Sequence, residues 1–212
     1  MKLLAYRGTA SATEGGRACG VSRGVSPGAL VRRSGLLAVA SGASVFLAPF
    51  LHPADPQSAA WVPAHMLYFV TLIAVLLVLV GAFARQLPQT GRLALTGFLT
   101  AFLGTSLMLM EGREHLFSHS AAGGTPIGLW QLIATSLLFS VGYILFGVAV
   151  SRAGVLPRAA GVLLAVGGPI VAFAPPIGIE AVLIVGHTLF GAGLVWLGYG
   201  LWSGTEEAPM PR

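Results

Sequence analysis

Residues 61–84 read WVPAHMLYFVTLIAVLLVLVGAFA, and this stretch decides the fold class of the chain. It contains no Asp, Glu, Lys or Arg. A helix of about 20 apolar residues rises roughly 30 Å, which is the thickness of the hydrocarbon layer of a bilayer. The stretch therefore predicts a helix that crosses a membrane.

Further apolar stretches of similar length lie near residues 34–51, 93–110, 127–150, 155–174 and 181–202. In the 212-residue chain, hydrophobic residues make up 55% and charged residues only 9%. A soluble protein uses about 25% charged residues to cover its surface, so this composition excludes a soluble enzyme, a nucleic-acid binder and a disordered chain. We predict an all-α polytopic membrane protein, a six-helix bundle over residues 34–202. The fifth stretch is the weakest span because Pro169, Pro175 and Pro176 crowd its end.

The basic residues indicate the orientation of these spans. In bacterial membranes Lys and Arg are retained in the cytoplasmic loops. Eleven of the 12 basic residues fall in the tails or in loops on one side of six spans, namely Lys2, Arg7, Arg17, Arg23, Arg32, Arg33, Arg85, Arg92, Arg152, Arg158 and Arg212. Only Arg113 falls on the other side. We therefore predict a multi-pass protein of the bacterial inner membrane with both termini in the cytoplasm.

The two ends of the chain have tail-like sequences. Residues 1–33 are interrupted by Gly, Ser and Pro and contain Cys19, the single cysteine. They lack the continuous apolar core of a signal peptide, so we expect a disordered basic cytoplasmic tail. Residues 203–212 are short and polar, and we expect a second cytoplasmic tail there.

A weak internal repeat relates the first two spans to the last two. Residues 32–49 align without a gap to residues 158–175, with identical residues at seven of eighteen positions. After a difference in loop length, His65 of span 2 matches His187 of span 6. A duplication of this kind would give two copies that run in the same direction through the membrane.

Several short motifs accompany these spans. They are Leu51-His52-Pro53, Trp61-Val62-Pro63-Ala64-His65, Gly97-Phe98-Leu99, Leu103-Gly104-Thr105 and Ala153-Gly154-Val155-Leu156-Pro157. With these motifs, the chain resembles small bacterial integral membrane proteins of the domain-of-unknown-function type over residues 34–202. The resemblance implies a six-helix membrane bundle and brings no activity with it.

Glu111, His115 and His119 form the first candidate site. If span 3 continues as a helix past the bilayer, these residues stand four positions apart and share one face. Carboxylate and imidazole are ligands of Zn²⁺ and similar cations. The pattern predicts a metal site at the outer end of span 3, with a solvated helix end as the bland alternative.

His65 and His187 form the second candidate site, because each lies inside an apolar span near its outer end. Two imidazoles at one depth are what bis-His haem ligation requires, so haem b is the cofactor that this pair would hold. Without a cofactor, each ring is expected to be neutral, because charge is disfavoured in hydrocarbon. We then expect both rings to point into the bundle and to hydrogen-bond another helix.

Hydroxyl groups are further polar side-chain groups within the apolar stretches, and they are concentrated in spans 3 and 4. They include Thr105, Ser136 and Tyr143, which are expected to hydrogen-bond between helices or to line a path for a neutral solute.

These observations favour a non-enzymatic component that handles a small solute or a metal, or a subunit of a membrane complex. A membrane haem or redox protein using His65 and His187 is the first alternative. A membrane metalloenzyme using the outer Glu and His residues is the second. The expected partner is the lipid bilayer and not a nucleic acid, and a homo-oligomer remains open.

Overall fold

The computed structural model describes residues 27–51, 53, 57–89, 91–118 and 128–204. These residues form helices and no strand, so the all-α prediction is confirmed for this part of the chain. The elements are α1 (Pro27–Leu51), α2 (Trp61–Gln86), a 3₁₀ turn (Leu87–Gln89), α3 (Arg92–Ser118), α4 (Leu129–Ala153), α5 (Arg158–Ile177) and α6 (Glu180–Ser203).

Five of these helices are long and apolar enough to cross a membrane. Their qualifying segments are Gly28–Leu51, Trp61–Gln86, Arg92–Gly112, Leu129–Ala153 and Glu180–Ser203. The apolar segment of α5, Arg158–Ala174, is shorter than the others. The chain is therefore a membrane-embedded helical protein, and the six-span topology, with the crossing by α5 in particular, stays a prediction.

Two helices extend beyond the stretches expected from the sequence. Helix α1 begins at Pro27, so residues 27–33, which we expected in the tail, form its first turns. Val31 on these turns is buried, as is Ser34 directly after them. Helix α3 continues to Ser118, well past its apolar segment. Hydropathy marks the part of a helix that suits lipid, whereas packing on neighbours extends the helix further.

The helices form a closed ring. Each helix packs against its neighbours in sequence, and α6 returns to pack against α1 in the most extensive contact of the molecule. Large apolar side chains point outward from the ring, among them Trp130, which is 82% exposed. Such a surface suits lipid and would be unfavourable in water.

Glycines allow the backbones of α1 and α6 to touch. A methyl group on Gly42 would lie 2.6 Å from the carbonyl oxygen of Gly191, and one on Gly35 would lie 2.8 Å from the carbonyl oxygen of Gly198. Only glycine fits such a close approach. The pairing of 35 with 198 and of 42 with 191 shows that α1 and α6 are antiparallel, so that Ser203 lies at the same end as the start of α1.

The centre of the ring is filled by aromatic side chains. Tyr143 of α4 lies edge-on to Phe190 of α6, with ring centroids 4.8 Å apart, and 4.5 Å from Phe139. The Tyr143 hydroxyl lies 3.1 Å from Thr105 Oγ1 on α3. Ser136 donates across to the carbonyl oxygen of Ala172 on α5. These two bonds confirm the hydrogen bonds between helices that we expected from the hydroxyl groups of spans 3 and 4.

Candidate functional site

A small cavity of about 60 Å³ lies inside the bundle beside this aromatic centre. Most of its lining is apolar and includes Met108, Phe139 and Phe190. The polar groups of the lining belong to Ser44 of α1, Tyr68 and Thr71 of α2, and His187 of α6. An apolar cavity with a few convergent polar groups is the usual form of a small-molecule site, although this one is at the small end of such sites.

The hydroxyl groups of Ser44 and Thr71 form a short chain in the cavity wall. Their oxygens lie 2.7 Å apart. Thr71 uses its single hydrogen on the carbonyl oxygen of Leu67, at 2.7 Å on its own helix. Because Thr71 has no second hydrogen, Ser44 must donate to it. Both hydroxyl hydrogens are therefore committed, and lone pairs remain.

The imidazole of His187 likewise has its hydrogen committed and keeps a free lone pair. Its Nδ1 lies 2.8 Å from the carbonyl oxygen of Leu183, one turn earlier on α6. A carbonyl oxygen only accepts, so Nδ1 carries the hydrogen. In a neutral ring Nε2 then has only a lone pair. Ser44, Thr71 and His187 together offer the cavity hydrogen-bond acceptors.

His65 does not belong to the described lining of this cavity. It is 7% exposed, its ring centroid lies 4.1 Å from that of Trp61, and its Nδ1 lies 2.9 Å from the Trp61 carbonyl oxygen. The Nδ1 bonds of His65 and His187 both stay within their own helices, so the expected partner on another helix concerns the second ring nitrogen and stays a prediction. In an apolar span the nearest acceptor is the carbonyl four residues earlier, as for Ser and Thr. The matched histidines of the sequence repeat thus share one local geometry.

The cavity is too small for the haem of the first alternative. Pockets that enclose ligands of drug size or larger measure about 300 Å³ or more, and a porphyrin belongs to that class. A cavity of about 60 Å³ does not fit the group, and only one of the two histidines lines it. We therefore derive no chemistry through haem.

The metal prediction falls mostly outside the described side chains. Glu111 is 8% exposed and lies on α3 one turn beyond Met108, a cavity residue. Its burial differs from the solvated helix end that we gave as the alternative to a metal site. His115 lies on α3 with its side chain outside the described part, and His119 lies outside the described residues. Within the described part, no three His, Cys, Asp or Glu side chains are grouped to hold a metal ion. The predicted stripe of Glu111, His115 and His119 stays a prediction.

Sequence reasoning missed Ser44, Tyr68 and Thr71 as cavity residues. A signal was present on α2, where residues 64, 68, 71 and 75 repeat at helical intervals and line the cavity together. The single threonine in that row marked the polar face. Ser44 had no comparable signal, because it meets Thr71 only through the packing of α1 on α2.

The comparisons with known proteins add no relative. No protein-family model matches the chain, and neither a curated protein nor a solved structure is significantly similar to it. The resemblance to small bacterial membrane proteins stays a prediction.

Proposed function

We propose that the chain is a six-span protein of the bacterial inner membrane, with both ends in the cytoplasm, that binds a small uncharged solute bearing N–H or O–H groups. The observation that carries this proposal is the internal cavity in which the hydroxyl groups of Ser44 and Thr71 and the imidazole of His187 have their hydrogens committed within the protein. A ligand that brings donors of its own satisfies those lone pairs. A ligand with acceptors alone leaves them unsatisfied and binds less well.

The size of the cavity limits the solute. About 60 Å³ corresponds to roughly two water molecules at about 30 Å³ each, or to a solute of about three non-hydrogen atoms. Met108, Phe139 and Phe190 make much of its lining apolar. An ion would lose its hydration there without a counter-charge in the lining, so we propose an uncharged solute.

The lining favours binding over catalysis. A serine nucleophile needs a base that takes its proton. Ser44 gives its hydrogen to Thr71, which is no base, and the imidazole of His187 donates to its own helix. We therefore propose a solute-handling role without enzyme activity.

The proposed orientation is supported by charges at one end of the bundle. Arg85 of α2 donates to the carbonyl oxygen of Gly204, just after α6. Arg32 of α1 lies over the ring of Trp202, near the end of α6. Two of the basic residues that we assigned to the cytoplasm thus gather at the end that holds Ser203, as the positive-inside rule requires.

The binding proposal is tested by protection of a cysteine in the cavity. In a Cys19→Ser background, Thr71→Cys is treated in detergent with methyl methanethiosulfonate, a small uncharged thiol reagent, with and without formamide. Formamide has three non-hydrogen atoms and N–H donors. We expect it to slow the modification of Thr71→Cys several-fold, while acetonitrile, which is of equal size and has no donor, leaves the rate unchanged.

Two controls make this test specific. The exposed Gln57→Cys should react at one rate in every solution, because it lies outside the cavity. Adding His187→Leu to Thr71→Cys should reduce the protection by formamide, because an acceptor is lost. Equal effects of formamide and acetonitrile, or equal slowing at Gln57→Cys, would contradict the proposal.

A further inference from the structure

A second concave surface lies on the outside of the ring, between α1 and α6. It is an open groove of about 680 Å³, which we call the α1/α6 groove. Its walls include Phe46 and Leu47 of α1 and Ala192, Val195, Trp196 and Tyr199 of α6. The lining is almost entirely apolar, and the groove faces the lipid.

The groove exists because its floor is made of glycine. Gly42 and Gly191 touch backbone to backbone, so no side chain fills the space above them. Phe46, Trp196 and Tyr199 stand at the sides, and all three are exposed. The result is a trough along the helix axes, a shape that matches a hydrocarbon chain better than the broad surface of a helix.

One end of the groove carries a positive charge. Because α1 and α6 are antiparallel, with Gly35 opposite Gly198, Tyr199 and Trp202 lie beside the first turns of α1. Arg32 is on those turns, and its guanidinium carbon lies 5.8 Å from the centroid of the Trp202 ring. Positions 32, 36, 43 and 47 also share one face of α1, so the row of groove residues leads to Arg32. Arg32 is exposed.

We propose that the α1/α6 groove binds an anionic phospholipid, with an acyl chain in the groove and the phosphate on Arg32. Tryptophan and tyrosine concentrate at the level of the lipid headgroups, which places Trp202 and Tyr199 at the depth where the phosphate lies. Arginine is well suited to a phosphate partner because its planar guanidinium donates two parallel hydrogen bonds.

Charge also argues against a second copy of the chain as the occupant. Copies in one membrane share their orientation, so a symmetric pair meeting at this groove would bring two Arg32 side chains to the same depth. Like charges facing each other disfavour that contact. An anionic lipid supplies the opposite charge.

The experiment measures lipid binding to the full chain, purified in neutral detergent and depleted of lipid. Dioleoyl phosphatidylglycerol and dioleoyl phosphatidylcholine carry the same acyl chains and differ in net charge. Native mass spectrometry counts the bound lipids, and a titration gives their affinities. We expect one molecule of phosphatidylglycerol to bind more tightly than phosphatidylcholine.

Two variants separate the headgroup contact from the groove. Arg32→Gln should weaken the phosphatidylglycerol complex about fivefold, because one arginine contact is lost. It should weaken the phosphatidylcholine complex less, because the choline ammonium of that lipid already neutralises its phosphate. Ala192→Phe fills the groove with an exposed side chain that need not disturb packing, and it should weaken both lipids. Arg152→Gln, at an exposed arginine on α4, is the matched control and should bind as the wild type does.

Three results would overturn the proposal. The first is an Arg32→Gln variant that keeps the full preference for phosphatidylglycerol. The second is an equal loss in Arg152→Gln, which would show only general charge attraction. The third is a dimer that dissociates in Ala192→Phe, which would make the groove an interface between copies. The cavity has no part in these measurements, so their failure leaves the solute proposal standing.

Discussion

The Tyr143 hydroxyl shows how one residue links two helices inside the bundle. Thr105 donates its hydrogen to the carbonyl oxygen of Ala101 at 2.8 Å, so it accepts from Tyr143 at 3.1 Å. Both side chains are fully buried. Neither group reaches water, so the hydroxyl of Tyr143 depends on Thr105 for its acceptor.

Removing the acceptor of this bond and removing its donor should lower the free energy of unfolding by different amounts. Thr105→Val leaves a buried hydroxyl without an acceptor and should lower the free energy of unfolding by about 1–2 kcal/mol. Tyr143→Phe removes the hydroxyl itself and should cost less. In a double-mutant cycle measured by unfolding in mixed micelles, the coupling energy should be about 0.6–1.7 kcal/mol.

Ser106→Ala provides the control for this cycle, because the Ser106 hydroxyl donates to the carbonyl oxygen of Phe102 on its own helix. Its loss should change stability by less than about 0.5 kcal/mol. Additive effects of Thr105→Val and Tyr143→Phe would mean that the bond between α3 and α4 does not contribute.

At the scale of the helices, glycines seven residues apart provide faces on which neighbouring helices pack closely. Gly35 and Gly42 of α1 face Gly198 and Gly191 of α6, and Gly97 and Gly104 of α3 face the backbone of α4. A seven-residue repeat returns to nearly the same side of a helix, so each pair forms one flat face. This spacing is visible in the sequence, but it does not indicate which helix packs on that face.

The close contact between α3 and α4 can be tested by adding a methyl group to one of its glycines. A methyl group on Gly142 would lie 2.3 Å from the backbone nitrogen of Ala101, so Gly142→Ala must push the two helices apart. We expect a loss of about 1–3 kcal/mol in the free energy of unfolding. Gly28→Ala is the control, since nothing lies within 4 Å of that position, and it should not destabilise the protein. Equal stabilities of the two variants would refute close packing at Gly142.

For the whole molecule, the open point is how many helices cross the membrane. The antiparallel contact of α1 with α6 brings Ser203 to the end where α1 begins. If the other five helices each cross the membrane, α5 must cross it as well, because an odd number of crossings would place these two ends on opposite sides. A helix of 20 residues is about 30 Å long, which is just sufficient for the hydrocarbon layer.

Cysteine labelling in intact cells tests this topology. In a Cys19→Ser background, an impermeant maleimide should label Gln57→Cys and should reach Gln89→Cys and Ser203→Cys only after the cells are permeabilised. These three positions are exposed. Labelling of Ser203→Cys with protection of Gln89→Cys would indicate five spans.

The sequence by itself determined the membrane class, the positions of the helical stretches and the small number of polar groups inside them. Hydropathy is a local property, because each stretch of about 20 apolar residues is favoured in lipid whatever surrounds it. For the same reason the polar residues of the spans, such as His187 and Tyr143, were identified as candidates for buried hydrogen bonds.

Only the tertiary structure decided which of these groups share a site. Ser44, Thr71 and His187 come from three helices and meet because α1, α2 and α6 pack around one space, while His65, the sequence match of His187, lies beside Trp61 outside that lining. Helix rotation and partner choice depend on backbone contacts such as Gly42 on Gly191, which involve residues far apart in the chain. Apolar periodicity is weak in a helix with lipid on one side and apolar neighbours on the other, so the sequence carries little record of those contacts.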